Sequence, residues 1–168
     1  VLAPSAAAAQ TAPDCRAASV ISVEGTVQVL AADGTSRPLR QGDRLCAGAR
    51  LRTGADGRTA LRLPEADTVL RLDRNSETRL RPPEPAPAVD LDRGILHFIS
   101  STSISFTVFT RFVTAGIDGT EAVVHVDLAA GAVAAVREGR VRVSAAGDQV
   151  SVVAGATAFA APGGPPRL

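Results

Sequence analysis

The sequence contains no Trp, Tyr, Met or Lys, and Phe, at five positions, is the only aromatic residue among 168. Without Trp or Tyr, the chain has none of the large rings that best stack on bases and sugars. The 18 basic residues, all Arg, nearly balance 17 acidic ones, so the formal net charge of +1 gives no field that would attract nucleic acid. We therefore expect no nucleic-acid partner and a core built from Val, Leu, Ile and Ala.

Long hydrophobic runs and helical periodicity are missing as well. No stretch approaches the ~18 consecutive apolar residues of a membrane span, so we expect no membrane insertion. Short runs of alternating apolar and polar residues instead recur between turn signals, at a spacing of about 8–12 residues. This pattern predicts an all-β fold: a two-layer β-sandwich or short β-roll of about ten to twelve short strands, with essentially no helix.

The two ends of the chain differ from this periodic middle. Residues 1–17 are rich in Ala and Pro, and Ala7, Ala8 and Ala9 precede Gln10 as small residues precede an export cleavage site. They are interpreted as a signal-peptide remnant and disordered leader, an ordinary Ala/Pro-rich leader being the alternative. Residues 18–161 are predicted to form one β domain, and residues 162–168 a Pro/Gly linker or tail. The expected localisation is periplasmic or secreted.

Cys15 and Cys46 are the only two cysteines. An even number of cysteines in an exported protein favours a disulfide, with two free thiols as the alternative. Closing a loop of about 30 residues would stabilise the fold by about 3–4 kcal/mol on the chain-entropy model. Because no His lies near either cysteine in the sequence, we expect no zinc site.

The residues that could carry catalysis lack partners. His97 and His125 lie in strand patterns, and the chain has no G-x-S-x-G motif to supply a nucleophile. His125 with Asp127 is a weak metal signal, and Asp90 with Asp92 has the spacing of an acid–base pair on one strand face. A half-exposed strand surface explains the first pair more simply, and charge that protects a strand edge from aggregation explains the second. We predict no catalytic, cofactor-binding or metal site, and no enzymatic activity.

Three stretches, taken in order, resemble a known family. The first joins residues 25–29 to 38–45, the second joins 51–63 to 69–76, and the third joins 112–121 to 136–143 and 153–155. Their order and spacing are similar to those of the FecR domain family of bacterial envelope proteins. The resemblance implies an exported, non-enzymatic module for protein interaction, scaffolding or signal relay. Its expected partners are envelope proteins, and further C-terminal domains such as helical repeats would fit. A cell-wall or glycan-binding module is the alternative.

The Gly and polar residues of these stretches are predicted to determine the fold. Gly permits positive φ where strands reverse or bulge, and Asp side chains cap the same turns. This turn and fold motif consists of Gly25, Gly42, Asp43, Gly54, Asp56, Gly57, Asp118, Gly119, Thr120, Glu138 and Gly139. Phe109 lies on the strand face opposite to Phe106 and is the candidate for an apolar interaction patch, provided that its face is exposed.

Overall fold

The computed structural model describes residues 15–31, 33–64 and 67–168. Its thirteen strands belong to one antiparallel sheet. They are β1 Ala18–Glu24, β2 Val27–Leu30, β3 Ser36–Pro38, β4 Arg44–Leu45, β5 Arg50–Thr53, β6 Arg58–Arg62, β7 Val69–Leu72, β8 Glu77–Leu80, β9 Ala88–Thr110, β10 Thr114–Asp127, β11 Gly131–Ala145, β12 Asp148–Val153 and β13 Thr157–Ala160. The all-β prediction is confirmed, with thirteen strands instead of ten to twelve. Within these ranges, no helix is long and apolar enough to cross a bilayer.

Strand β9 is the element around which the sheet closes into two layers. Its middle, residues 96–99, pairs with β7 along one edge and with β10 along the other. Residues 89–93 pair with β8, and residues 104–109 pair with the first half of β10. The rings of Phe98 and Phe106 are 5.0 Å apart between centroids, and the Thr107 N–H donates to the Pro87 carbonyl at 3.2 Å. Both ends of β9 therefore fold back over its middle.

The two layers follow from this pairing. The first layer runs β4, β1, β6, β7, the middle of β9, the second half of β10, the first half of β11, and β13. The second layer runs β3, β2, β5, β8 and the two ends of β9, then the first half of β10, the second half of β11, and β12. Side chains between the layers are almost inaccessible, among them Leu51, Leu61, Leu70, Leu91, Leu96, Phe98, Val108, Val124, Val141 and Val152.

At a first bend, β9 passes from one layer to the other at Gly94. Gly94 has a φ of 90°, and a Cβ atom there would lie 2.6 Å from the Ser76 Cβ. The Ser76 Oγ accepts a hydrogen bond from the Ile95 N–H at 3.0 Å, which keeps β9 in contact with the β7–β8 connection. Strands β1 and β2, β5 and β6, and β7 and β8 are separated by short connections at the same bend. Each of these pairs places one strand in each layer.

A second bend crosses β10 and β11. A Cβ on Gly119 would lie 2.5 Å from the Glu138 carbonyl oxygen, and one on Gly139 would lie 2.6 Å from the Asp118 carbonyl oxygen. The sequence predicts a turn at Glu138 and Gly139, but β11 continues through them because strand pairing resumes on both sides. In the same way, residues 95–99 and 105–110, which the sequence pattern indicates as two separate short strands, are parts of the single strand β9.

The tail packs against the sheet. Phe159 of β13 and Arg167 exchange two backbone hydrogen bonds of 2.8 Å, and Pro166 is buried. Whether residues 162–168 also link to another domain stays a prediction. Residues 1–14, most of the predicted leader, lie outside the described residues.

Replacing Gly94 with Ala is expected to lower the free energy of unfolding by about 2–4 kcal/mol, because the new methyl group would overlap Ser76 and force the bend apart. Urea denaturation of both proteins measures this difference. Gly42→Ala is the matched control, since Gly42 has a similar φ of 85° but nothing within 4 Å of the added Cβ. It should cost only the backbone strain, about 1 kcal/mol. Equal losses in the two variants would contradict the steric explanation.

Candidate functional site

Four residues of the predicted turn and fold motif meet at the first bend. The Asp56 Oδ1 accepts a hydrogen bond from the Thr26 N–H at 3.3 Å, and the Gly54 N–H donates to the Thr26 carbonyl at 2.8 Å. A Cβ on Gly25 would lie 2.7 Å from the Asp56 carbonyl carbon, and one on Gly57 would lie 2.8 Å from the Gly54 nitrogen. These residues join the β1–β2 and β5–β6 connections to each other.

The predicted Gly42–Asp43 turn lies beside β1. The Asp43 Oδ2 accepts hydrogen bonds from the Arg37 Nη1 at 2.8 Å and from the Arg40 backbone N–H at 2.9 Å. The Arg37 hydrogen bond, followed by that from Arg40, holds the pKa of the Asp43 carboxyl below its ordinary value. The Gly42 N–H donates to the Val20 carbonyl at 2.9 Å, so the turn is attached to the first layer.

The remaining motif residues meet at the second bend. The Asp118 carboxylate accepts a 2.6 Å hydrogen bond from the Ser105 hydroxyl and a 3.1 Å hydrogen bond from the Arg142 Nη2. The Ser105 hydrogen bond is the main reason why the pKa of Asp118 is lowered. The Thr120 hydroxyl is buried and has no hydrogen-bond partner among the described residues, whereas Glu138 is exposed. Thus the structure places the motif residues in two bends and a turn, not in one pocket.

His97 takes part in a short chain of polar contacts. Its Nε2 lies 2.9 Å from the Glu121 Oε1, and the Arg137 Nη1 lies 3.5 Å from the same oxygen. All three residues lie on the outer face of the first layer. A shallow groove of about 720 Å³ crosses this face, with His97, Arg58 and Arg71 among its lining residues.

His125 and Asp127 do not form a joint site. His125 is exposed, while the Asp127 Oδ1 accepts hydrogen bonds from the backbone N–H groups of Ala129 and Ala130, both at 2.8 Å. These two bonds lower the pKa of Asp127 and fix the β10–β11 turn. Over the described ranges, no group of three or more His, Cys, Asp and Glu side chains is arranged to hold a metal ion.

Asp90 and Asp92 bind different arginines. The Arg81 Nη2 lies 2.7 Å from the Asp90 Oδ1, and the Arg50 Nη1 lies 3.2 Å from the Asp92 Oδ2. Arg50 also reaches Glu77 at 3.0 Å, so Asp92 belongs to an ion-pair lattice around Glu77 on the outer face of the second layer, and Asp90 forms a separate pair with Arg81. Sequence reasoning missed Glu77. The pattern that could have indicated it is the recurrence of Arg at every second residue of β5 and again at Arg79 of β8, which places several cations and one acid on the same face of the sheet.

Phe109 is half-buried, and the guanidinium of Arg81 stacks on its ring with the Arg81 Cζ 3.9 Å from the ring centroid. This cation–π contact covers one face of the ring. The predicted interaction patch at Phe109 stays a prediction.

A disulfide joins Cys15, before β1, to Cys46, after β4. It attaches the segment that enters the first layer to the loop at residues 46–49, which leads into the second layer. A groove of about 600 Å³ lies beside this loop.

The sheet has four outer edges, and they differ in length and cover. Strands β3 and β4 have three and two residues, and β3 ends at Pro38. The edge of β13 is paired with Arg167. The six residues of β12 pair only with β11 in the part of the chain that the structure describes, and Val153 is 53% exposed. The outer edge of β12 is therefore the longest one left free.

A family model described as FecR protein matches residues 49–158. The chain belongs to the FecR family. The match includes the second bend, β12 and the part of the first bend that lies between Gly54 and Gly94, and it starts after Cys46. FecR proteins are associated with the bacterial envelope and act in regulation and signalling. A search of curated proteins found no match to this chain.

The disulfide should protect both cysteines from alkylation until a reductant is added, and two alkyl groups should then appear in the mass spectrum. Reduction should lower the free energy of unfolding by about 3 kcal/mol, because the unfolded chain gains the entropy of an open loop. The Cys15→Ser/Cys46→Ser variant should match the reduced protein in stability. Alkylation of the unreduced protein would contradict the bond.

Glu77→Gln is expected to lower the free energy of unfolding by about 1–2 kcal/mol at neutral pH. Burial raises the pKa of Glu77, but hydrogen bonds from Arg50 and Arg52 outweigh it, and the net pKa is lowered. A lowered folded-state pKa gives stability that is present above the ordinary glutamate pKa of about 4.3 and is lost as pH falls through the folded-state value.

Urea denaturation at a series of pH values would measure this effect. The difference between wild type and Glu77→Gln should shrink toward zero in acid. Glu84→Gln, in the exposed proline-rich loop, is the control and should match wild type throughout. A difference that does not change with pH would show that the carboxylate charge is not the cause.

Proposed function

We propose that this FecR-family chain is a non-enzymatic periplasmic module that acts through protein–protein contacts, as a scaffold or signal relay in the cell envelope. Membership of the FecR family supports a role in the cell envelope, since the members of this family are envelope-associated signalling proteins. The free edge of β12 is the observation that supports contact by strand pairing. A partner would add one strand to this edge, as in other cases of β-strand addition.

A free edge of this kind is unusual in a folded protein. Exposed edge strands are normally short, covered, or protected by Lys and Pro, because unpaired N–H and C=O groups invite aggregation. The edges of β3, β4 and β13 follow this rule. β12 has no Arg and no Pro, and its only charged residue is Asp148 at its start. An edge that is kept open in this way fits a strand that pairs with a partner.

The side chains of β12 would also give the added strand two different faces. Val152 is buried and Val150 is half-buried on the core side, whereas Ser151 and Val153 are exposed on the other. Because strand residues alternate between faces, a partner strand would need apolar residues on one side and tolerate polar ones on the other. Backbone hydrogen bonds would supply affinity, and the alternation of buried and exposed side chains would fix the register of the added strand.

Site-specific photocrosslinking in cells tests this function with the protein as the cell makes it. A photoreactive residue at Ser151 should crosslink to an envelope protein, which mass spectrometry identifies. The same residue at Ala130, exposed in the β10–β11 turn, is the control and should give little product. Val153→Lys should reduce the yield at Ser151 several-fold, because a charged edge disfavours strand addition.

Equal yields from Ser151 and Ala130, or no envelope protein at either position, would contradict the proposal. Sedimentation of the purified chain with peptidoglycan, without any protein partner, would instead favour the cell-wall or glycan-binding alternative.

A further inference from the structure

A second surface lies on the opposite side of the sandwich from β12, in the groove of about 600 Å³ beside the disulfide loop. One wall is formed by residues 29–31 and 35–37 of the β2–β3 hairpin. The other is formed by residues 44–49, and Arg79 of β8 also lines the groove. This volume lies within the range of about 300–1,000 Å³ that is usual for ligand sites.

Positive charge is concentrated along this groove. Its charged lining residues are Arg37, Arg44 and Arg79, and no Asp or Glu is among the residues that line it in the described ranges. Arg37 is paired with Asp43 at 2.8 Å. Arg44 and Arg79 form no ion pair with any described residue. In a chain whose net charge is only +1, this local excess of cations is a distinct feature.

Arg79 has no carboxylate partner of its own in the described ranges. It lies directly opposite Arg50 in the β5–β8 pairing, and Arg50 is already paired with Glu77 and Asp92. Its neighbour on the other side is Asp90, but that carboxylate is bound to Arg81. A carboxylate placed in the groove would give Arg79 a partner.

The rest of the lining is mainly apolar and lies beside free strand edges. It consists of Val29, Leu30, Ala31, Leu45, Ala47 and Ala49, together with Cys46 and three small polar or glycine positions. Strand β3 pairs only with β2, and β4 pairs only with β1 in the described part of the chain. An inorganic anion could satisfy the arginines but would leave the apolar walls in water. No aromatic side chain lines the groove to stack on a base.

We propose that this groove binds an extended acidic segment of a protein partner. Carboxylates of the segment pair with Arg44 and Arg79, and apolar side chains between them pack against Leu30 and Ala47. The disulfide at Cys46 holds the loop wall in place. This inference rests on the proposed function only in that the ligand is a protein segment, because the groove and the β12 edge are separate surfaces.

Fluorescence anisotropy with the complete chain tests the groove. The probe is a short labelled peptide in which valine alternates with glutamate, and the matched peptide carries glutamine in place of glutamate. The glutamate peptide should bind, and the glutamine peptide should bind at least about tenfold more weakly. Added salt should weaken the binding of the glutamate peptide, because the paired charges are partly exposed.

Arg44→Gln/Arg79→Gln should weaken binding of the glutamate peptide about tenfold. The control Arg74→Gln/Arg111→Gln removes two exposed arginines outside the groove and should bind as wild type does. Thermal melts of both variants check that they remain folded. Equal binding of the two peptides, or unchanged binding by Arg44→Gln/Arg79→Gln, would overturn the inference. So would full displacement of the peptide by inorganic phosphate at comparable concentration.

Crosslinking at Ser151 separates this inference from the proposed function. If the glutamate peptide does not bind while Ser151 still captures an envelope protein, the groove inference alone is wrong. If peptide binding is lost in Arg44→Gln/Arg79→Gln and crosslinking at Ser151 is unchanged, the groove is a second, independent protein contact, as inferred.

Discussion

Backbone contact at two bends makes this sandwich possible. At Gly94, Gly119 and Gly139 a neighbouring segment of the same chain comes so close that an added Cβ would overlap its atoms. Because β10 and β11 stay paired through the second bend and β9 passes from β8 to β7 at the first, one sheet supplies both layers and its apolar faces meet in the middle. A larger side chain at any of these glycines would separate the layers locally and expose part of that core.

Short hydroxyl side chains complete the first bend. The Thr53 Oγ1 donates to the Asp73 carbonyl at 2.6 Å and accepts from the Ser76 N–H at 2.8 Å, and the Thr78 Oγ1 donates to the Asp90 carbonyl at 2.7 Å. Thr53, Ser76 and Thr78 are buried, so these bonds satisfy backbone groups that the bend removes from the strand ladder. The polar residues of the bend are thus explained by folding.

Much of the fold can be predicted from the sequence, because alternation reports directly which strand face is buried. Residues 59–63 and 69–72 show it clearly, and both runs form strands with alternating burial. Glycines are ambiguous, however. Gly42 lies in a true turn, whereas Gly139 bends a continuous strand, although both have positive φ. The difference depends on whether a neighbouring strand pairs with the residues on both sides of the glycine. That pairing is decided by tertiary structure and not by the local sequence.

The candidate surfaces depend still more on register and topology. Arg79 lies opposite Arg50 although 28 residues separate them in the chain, and alternation within each strand gives no sign of that pairing. That β12 is an edge strand likewise follows from the crossing of β11 between layers. The resemblance of the ordered Gly-rich stretches to FecR proteins is confirmed by the family match, which covers residues 49–158.

The exclusive use of arginine in the ion-pair lattice around Glu77 has a consequence for chemical labelling. The chain has no Lys, and its two cysteines are joined. Reagents that modify the side-chain amine of lysine or a free thiol therefore have no target side chain in the oxidised protein. The arginine–carboxylate contacts of the lattice keep their charge through such labelling, whereas a lattice built on lysine would lose it.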